Sequence, residues 1–324
     1  MIHPLVLSVL GCVLGLLTGF FGVGGGFFIT PALNVLGLPM AFAIGTSLAA
    51  IVGNALLGTL QHYRLGSVDS KLGIVMGVCG LPGIELGKRL VIHLEKLDLV
   101  GNYVRGAYIF ILLLISLLML RESYSSFERG KKHHHDETGG IEKERVSLAD
   151  RIQRIGIPPA LSFPRSGIKS ISFWVVFAIG MTLGFFSGFM GIGGGFVGLP
   201  MLIYLIGLPT HVAVGTSLVT VFIISSYGTL TYAMVGKVQW TAVFIILAGS
   251  LVSTQFGARV TKYATGMRLR ALFALLLLFI ALSVLMKEFG WDRVSMYVLG
   301  GVACLLSVAI IIVWAKNYCR RKPI

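Results

Sequence analysis

Two glycine-rich stretches decide the fold of this chain. Residues 19–31 read GFFGVGGGFFITP, and residues 188–200 read GFMGIGGGFVGLP. Each follows an apolar run and carries four glycines within five residues. Glycine is costly inside a helix, and irregular backbone at membrane depth survives only inside protein or beside a watery cavity. The two stretches therefore predict paired breaks in membrane helices.

The glycine stretches belong to a longer internal repeat. Further blocks recur at an offset of 170 residues, one more than the offset of 169 between the glycine stretches. These blocks are GLP at 37–39 and 207–209, GTSL at 45–48 and 215–218, GTL at 58–60 and 228–230, GSV at 66–68 with GKV at 236–238, and GKR at 87–89 with GAR at 257–259. So many matches in one register indicate a tandem duplication.

The composition excludes a water-soluble enzyme and a disordered chain. Of 324 residues, 56% are hydrophobic and 12% charged, with a mean hydropathy of +0.88. Average soluble domains carry about 25% charged residues. The apolar runs are about 20 residues long, enough to cross a ~30 Å hydrocarbon layer. The sequence predicts an all-α, polytopic membrane protein.

Each repeat has the same predicted plan of four spanning helices and one short apolar segment. The predicted fold is two homologous four-helix repeats with Gly-rich re-entrant or broken helices, plus a ninth C-terminal span. The predicted helices are 3–21, 41–62, 72–91 and 102–120 in the first repeat, 171–190, 211–233, 240–258 and 269–286 in the second, and 294–315; the short segments are 27–36 and 196–206.

Four regions follow from this plan: a first repeat at 1–121, a charged linker at 122–169, a second repeat at 170–290, and an extra helix with a basic tail at 291–324. We interpret the linker as solvated, with a short surface helix near 141–155. Its histidine run, 133–135, offers a possible metal ligand set, but we favour a solvated loop. No metal or cofactor is expected.

The arrangement of basic residues allows two topologies. If the short segments are re-entrant, each repeat spans four times and both repeats have the same orientation. The ends of 72–91 and 240–258 and the C-terminus then share a basic face, which is expected to be cytoplasmic, and the linker lies outside. If the short segments do not turn back, the repeats are inverted, as in many transporters.

The net charge of +14 indicates contact with anionic lipid rather than nucleic acid, because the basic residues cluster beside apolar runs. Three of the four cysteines lie inside such runs and no CxxC occurs, so neither a disulfide framework nor a zinc site is expected. Homo-oligomerisation is possible.

The glycine stretches are the strongest candidate for a binding site. Broken helices present free N–H groups and a positive dipole end, which suit an anion. Close helix packing is the alternative, and we favour a site. The candidate substrate-binding glycines are Gly22, Gly24, Gly25, Gly26, Gly191, Gly193, Gly194 and Gly195.

Adjacent hydroxyls follow each break: Thr46 and Ser47, then Thr216 and Ser217. They either cap a helix or donate to a ligand, and their exact repetition favours a role in lining the pocket.

Polar residues within apolar runs form a third set, with possible roles in a pore or in ion coupling. Glu85 corresponds to Gln255, so only one repeat can take up a proton there; a pair with Lys88 or Arg89 is the alternative. The set is Asn54, His62, Glu85, Gln255, Arg89 and Arg259, and Gln61 is also polar within its run.

The duplicated pattern GxxxGxGGGF, Pro, GLP and AxxGTSL resembles the TauE/SafE sulfite exporter family over about residues 5–120 and 171–290. The resemblance implies a membrane transporter of sulfite, sulfoacetate or a related sulfur-containing anion. Related thiosulfate-uptake proteins rely on cysteines, whereas Cys12 and Cys79 stand at unrepeated positions here.

We therefore expect a secondary transporter, not an enzyme, that exports sulfite or another small sulfur-containing anion from the cell. An anion channel, or an importer of a different anion with the same architecture, is the alternative. The expected location is the inner cell membrane, with a cytoplasmic C-terminus. The sequence contains no nucleotide-binding loop, because no Lys-Ser/Thr follows the glycines.

Overall fold

The computed structural model describes residues 4–132, 152–153, 157–261 and 266–320. Helices dominate both halves. The first half contains α1 (Pro4–Phe21), α2 (Gly26–Val35), α3 (Met40–Arg64), α4 (Ser70–Lys96) and α5 (Val100–Lys132). The second contains α6 (Phe173–Met190), α7 (Gly195–Pro200), a π-helical turn (Met201–Ile206), α8 (Thr210–Met234), α9 (Trp240–Val260), α10 (Gly266–Glu288) and α11 (Asp292–Arg320).

The apolar runs form helices close to the predicted boundaries. Two elements differ from the prediction. Helix α5 extends beyond its predicted end at residue 120 to Lys132, and the segment 196–206 is not one regular helix. This segment is α7 followed by the π-helical turn, and the helix type changes directly after Pro200. Proline lacks an N–H donor and interrupts the regular hydrogen-bond ladder, which accounts for the change.

A small β-hairpin stands in the region predicted as a solvated linker. Strands β1 (Ala160–Phe163) and β2 (Ile168–Ser172) pair antiparallel. Phe163, Ile168 and Ile171 are buried beneath it, so this part of the linker is packed rather than solvated. The histidines 133–135, and almost all of the predicted helix 141–155, lie outside the described residues.

Two long helix pairs join the halves through close backbone contact. Helix α1 packs along α9, and α4 packs along α6. A Cβ atom at Gly11 would lie 2.3 Å from the Ile246 carbonyl oxygen, and one at Gly184 would lie 1.9 Å from that of Gly80. Side chains at these positions would force the helices apart, so small residues permit the packing.

Corresponding helices of the two halves cross antiparallel. Helix α3 packs on α8, where Gly58 lies against Leu218 and Gly228 lies against Leu48. Helix α5 packs on α10, and the Ser116 hydroxyl donates to the Ala274 carbonyl over 2.8 Å. The other end of this pair carries the ion pair between Arg105 and Glu288.

Helices α1 and α3 run in the same direction, because each is parallel to α9. Gly11 of α1 contacts Ile246 and Gly19 contacts Thr254. Along α3, Thr46 bonds to Gln239 at the start of α9, and Asn54 bonds to Ser250. The chain between α1 and α3 therefore returns through α2.

This return changes the expected topology. Helix α4 is parallel to α8, since Gly73 lies against Thr216 and Gly80 against Ile224. The end of α4 and the end of α9 therefore lie at opposite ends of the bundle. The layout with both repeats in one orientation is therefore wrong. It assumed that the short segment comes back to the side from which it entered, whereas the chain between α1 and α3 crosses to the opposite side.

Candidate functional site

The first glycine segment, residues 22–26 of the first glycine-rich stretch, reverses the chain inside the protein. Gly22, Gly24 and Gly25 all have positive φ angles, of 70°, 73° and 80°. L-residues with side chains rarely adopt this conformation. Gly25 is the N-cap of α2. In the described part of the chain, the amides of Val23, Gly24 and Gly25 donate to no backbone carbonyl.

The second glycine segment, residues 191–195, repeats this geometry at the end of α6. Gly191, Gly193 and Gly194 have φ angles of 72°, 67° and 77°. Gly191 ends α6 and Gly194 precedes α7. The predicted paired breaks are thus two hairpins, α1–α2 and α6–α7, which carry matching turns.

Both glycine segments meet the same two aliphatic side chains. A Cβ atom at Gly24 would lie 2.6 Å from Val221 Cγ1 and 2.9 Å from Ile51 Cγ2. One at Gly193 would lie 3.1 Å from each of these two atoms. Ile51 and Val221 occupy corresponding positions in α3 and α8. These two side chains, here called the plug, therefore pack against both segments.

The predicted serines tie each hairpin to the opposite half. Ser47 of α3 donates to the Gly191 carbonyl over 2.8 Å, and Ser217 of α8 donates to the Gly22 carbonyl over 2.5 Å. The hydroxyl proton of each serine is therefore used to fix the first glycine of a break. Thr30 of α2 also donates to the Gly191 carbonyl, over 3.1 Å.

The neighbouring threonines accept hydrogen bonds from backbone amides of the opposite half, away from the glycine segments. The backbone amide of Gln239 donates to Thr46 Oγ1, and that of Asp69 donates to Thr216 Oγ1, each over 3.0 Å. Both hydroxyl groups are buried. The structure thus places the two serines at the glycine segments and the two threonines at the connections that precede α9 and α4, and all four hydroxyl groups bond to backbone groups.

A small void lies beside the second segment, lined by Gly194, Gly195, Ser217 and Val221 among others. Three of these four are sequence-predicted site residues. The two glycine segments themselves are in direct contact, since a Cβ atom at Gly26 would lie 2.6 Å from Ile192 Cα and one at Gly195 would lie 2.2 Å from the Val23 carbonyl oxygen. The centre is therefore tightly packed.

Two of the predicted polar residues are buried on α3. Asn54 Oδ1 accepts a bond from Ser250 Oγ, whereas Asn54 Nδ2 has no partner. His62 Nε2 donates to the Gly19 carbonyl over 3.1 Å. The equivalent residue of α8, Tyr232, donates its hydroxyl to the Gly188 carbonyl over 2.6 Å. His62 and Tyr232 thus tie each hairpin to its own half.

The other four predicted polar residues lie away from the glycine segments. Glu85 forms ion pairs with Lys88, at 2.8 Å, and with Arg89, at 3.1 Å. Arg89, Gln255 and Arg259 are exposed on the outer surface of the bundle. The Glu85 pair corresponds to the alternative expected from helical spacing.

Sequence reasoning missed two hydroxyl residues that face the breaks. Thr18 and Ser225 are fully buried and their hydroxyl oxygens have no partner. A Cβ atom at Gly25 would lie 2.6 Å from Thr18 Oγ1, and one at Gly193 would lie 2.8 Å from Ser225 Oγ. Thr18 matches Ser187 at the repeat offset of 169, a signal that would have pointed to this position.

Charged contacts concentrate at the ends of the bundle. Lys237 Nζ pairs with Glu95 over 2.6 Å, near the turn that follows α8. At the opposite end, Asp69 accepts a hydrogen bond of 2.6 Å from Ser166 of the β-hairpin. Among the described residues, no group of three His, Cys, Asp or Glu side chains is placed to hold a metal ion.

The fold defines an integral, multi-pass membrane protein. Among the described residues, seven helices are long and apolar enough to cross a membrane. They are α1, α3, the Val100–Arg121 part of α5, α6, α8, α9 and the Leu269–Glu288 part of α10. Helix α4 is not one of them, and it carries Glu85, Lys88 and Arg89.

The chain belongs to the TauE/SafE sulfite exporter family, which its residues 7–284 match. This family consists of membrane transporters rather than enzymes, and the protein is a membrane transporter.

Curated relatives carry the same kind of name. The probable membrane transporter YunE of Bacillus subtilis is 28% identical over 265 residues, which cover 79% of this chain and 88% of that protein. A probable membrane transporter of Xylella fastidiosa is 25% identical over 284 residues, covering 86% and 94%. One from Methanocaldococcus jannaschii is 24% identical over 287 residues, covering 84% and 91%. No solved structure matches the chain.

Proposed function

We propose that the protein is a secondary transporter that exports sulfite or a related small sulfur-containing anion through a site between its two glycine hairpins. The observation that carries this proposal is the meeting of both glycine segments at Ile51 and Val221. The family description supplies the substrate class and the direction.

The two halves act as inverted repeats in this proposal. Support comes from the antiparallel crossings of α3 with α8 and of α5 with α10. The pairs α1–α9 and α4–α6 add to it, because α1 corresponds to α6 and α9 corresponds to α4 in the repeat. Inverted repeats with discontinuous helices place a substrate site near the bilayer midplane. Helix α11 adds a ninth span outside the repeat.

The site is formed by backbone groups of the glycine segments. Ser47 and Ser217 hold those segments in shape, and Thr46 and Thr216 fix the connections that precede α9 and α4. The first amides of α2 lack partners within the helix, and the dipole of this helix favours an anion at Gly25 and Gly26. Bonds such as Ser47 to Gly191 and Ser217 to Gly22 cross between the halves, so they transmit the rocking of one half to the site of the other.

Transport alternates access around the plug. In the packed centre the two glycine segments touch each other, and Ile51 and Val221 pack against both. Rocking of one half against the other would open one side at a time, which favours a carrier over an open channel. An inside-negative potential drives an anion outward by ~2.3 kcal/mol per charge at 100 mV, so export needs no nucleotide.

The C-terminus and linker share the cytoplasmic face of the inner membrane in this proposal. Helix α5 is antiparallel to α10, and α11 is antiparallel to α10 because Ser283 and Ser295 bond near their connection. The linker and the end of α11 therefore lie on one face. That face also receives Arg64, Lys71, Arg259 and Arg270, and cytoplasmic faces are rich in such residues.

Anion flux into proteoliposomes tests the proposal. Sulfite, sulfoacetate, sulfate and thiosulfate are compared for the purified wild type and for Gly25→Leu and Gly194→Leu. Saturable sulfite flux that both substitutions abolish is expected. Gly66→Leu is the matched control, because Gly66 has a similar φ of 72° and open space around it. Intact flux in both site variants would contradict the assigned site.

A further inference from the structure

The centre of the molecule offers hydrogen-bond donors but no counter-charge. Among the described residues, the buried side chains include two with an acidic or imidazole group, His62 and Asp69, and none from Lys, Arg or Glu. His62 lies about 16 Å further along α3 than Ile51, at ~1.5 Å per residue. Asp69 is the N-cap of α4, at one end of the bundle.

Two unpartnered hydroxyl groups face the glycine segments from different helices. Thr18 Oγ1 of α1 lies beside Gly25, and Ser225 Oγ of α8 lies beside Gly193. Both side chains are 0% exposed, and neither oxygen has a hydrogen-bond partner. Buried hydroxyl groups are normally satisfied, so each of these two has a donor proton available for a guest.

Asn54 supplies a third donor on the same side of α3 as the plug. It stands one turn beyond Ile51, which contacts both Gly24 and Gly26. Its Oδ1 is occupied by Ser250, which leaves Nδ2 as the unpartnered atom. The corresponding position in α8 is Ile224, so only α3 carries an amide at this level.

We infer that the site takes a singly charged oxyanion, bound by the neutral donors Thr18, Ser225 and Asn54 beside the glycine segments, and discriminates against doubly charged anions. This inference rests on the proposed transport function and names its substrate class. The desolvation cost of an ion rises with the square of its charge, and only an opposite charge nearby would offset the additional cost of a dianion. Hydroxyl, amide and backbone N–H groups suffice for one charge, as at helix N-termini.

The inference divides the sulfur-containing anions into two groups. Hydrogensulfite and simple sulfonates carry one charge and are accepted. Sulfate, thiosulfate and sulfoacetate carry two near neutral pH and are rejected. Sulfite itself changes between the two forms near neutral pH, so its transport depends on the protonation of the substrate in solution.

Flux into proteoliposomes containing the full chain separates these groups. Methanesulfonate is the singly charged probe and sulfate the doubly charged one. Sulfate flux is expected below about a tenth of methanesulfonate flux, because no nearby cation offsets the second charge. Sulfite flux is expected to fall as the medium becomes alkaline, in parallel with its hydrogensulfite fraction, while methanesulfonate flux stays constant.

Two substitutions test the donors themselves. Thr18→Val and Ser225→Ala are expected to weaken the apparent affinity for methanesulfonate about tenfold to a hundredfold, since each removes a hydrogen bond to a charged group. Their thermal stability should be unchanged or higher, because a buried hydroxyl without a partner is lost. The controls are Thr182→Val and Ser226→Ala, whose hydroxyls donate to Ala178 and Phe222 within their own helices.

The outcomes separate this inference from the proposed function. Equal flux of sulfate and methanesulfonate would overturn the charge selection and leave the transporter proposal standing. Unchanged affinity in Thr18→Val and Ser225→Ala would overturn the donor assignment. Flux of all the anions no higher than in protein-free liposomes would overturn the proposed function itself.

Discussion

Gly24 and Gly66 share a backbone conformation and differ in their surroundings. Their φ angles are 73° and 72°, but a Cβ atom at Gly24 would lie 2.6 Å from Val221 Cγ1, whereas one at Gly66 would have nothing within 4 Å. The glycine at position 24 thus serves both the turn and the close approach of the plug.

Gly24→Ala is therefore expected to abolish anion flux and to lower thermal stability more than Gly66→Ala. The left-handed conformation costs a residue with a side chain roughly 1–2 kcal/mol in both variants, and only Gly24→Ala adds a steric clash. Melting curves in detergent, together with flux in proteoliposomes, measure both effects. Equal losses in the two variants would show that the close contact at Gly24 is unimportant.

His62 provides a second test at the residue scale. It donates to the Gly19 carbonyl from a side chain that is 1% exposed. His62→Phe should destabilise the protein by about 1–3 kcal/mol, because a buried carbonyl loses its main side-chain partner. His93→Phe is the control at an exposed position on α4. A thermal melt of His62→Phe that matches the wild type would contradict this role.

At the scale of elements, the β-hairpin locks the start of α4. Asp69 Oδ1 caps the helix by accepting from the Leu72 amide over 3.1 Å, and Oδ2 accepts from Ser166 in the turn between β1 and β2. Lys71 Nζ donates to the Ser162 carbonyl over 3.2 Å. One side chain thus joins a helix end to a segment of the linker.

A double-mutant cycle measures this connection. Asp69→Ala is expected to cost about 1–2 kcal/mol from the lost cap alone. Ser166→Ala should cost less, and the double variant should be less destabilised than the sum of the two, because they share one bond. Thermal stability of the three variants gives the coupling. Strictly additive losses would mean that the hairpin does not hold α4 through this pair.

The directions of the helices make a prediction about the whole molecule. Arg64 and Met234 occupy corresponding positions at the ends of α3 and α8, and both are exposed. Because α3 and α8 cross antiparallel, these two positions lie at opposite ends of the bundle.

Cysteines placed at Arg64 and Met234, in a chain without its four native cysteines, should react with a membrane-impermeant thiol reagent from opposite sides. Positive-inside bias predicts that Met234→Cys is labelled in intact cells and Arg64→Cys only after the cells are opened. Labelling of both from the same side would exclude the inverted arrangement.

Much of the site was accessible from the sequence because the two halves repeat the same residues. The repeat located the glycine segments and the Thr-Ser pairs, and the structure joins the serines of these pairs to the glycine segments. It did not distinguish the two buried residues, Asn54 and His62, from four residues that are half-buried or exposed, which are Glu85, Arg89, Gln255 and Arg259. Which side of a helix is buried depends on how α3, α4 and α9 are rotated against their neighbours. In a soluble helix a polar outer face marks this orientation, but a helix exposed to lipid has an apolar outer face and lacks the mark.

The sequence by itself determined that the membrane part is helical, because the length of each apolar run decides whether it can cross a bilayer and glycine decides where a helix breaks. Only the tertiary structure decided three features. The chain between α1 and α3 crosses to the opposite end of the bundle, the two halves cross antiparallel, and Thr18 and Ser225 face the glycine segments. The crossing of the two halves depends on contacts between residues more than a hundred positions apart, such as Ser47 with Gly191. Local pattern carries no information about which distant backbone a small residue will meet.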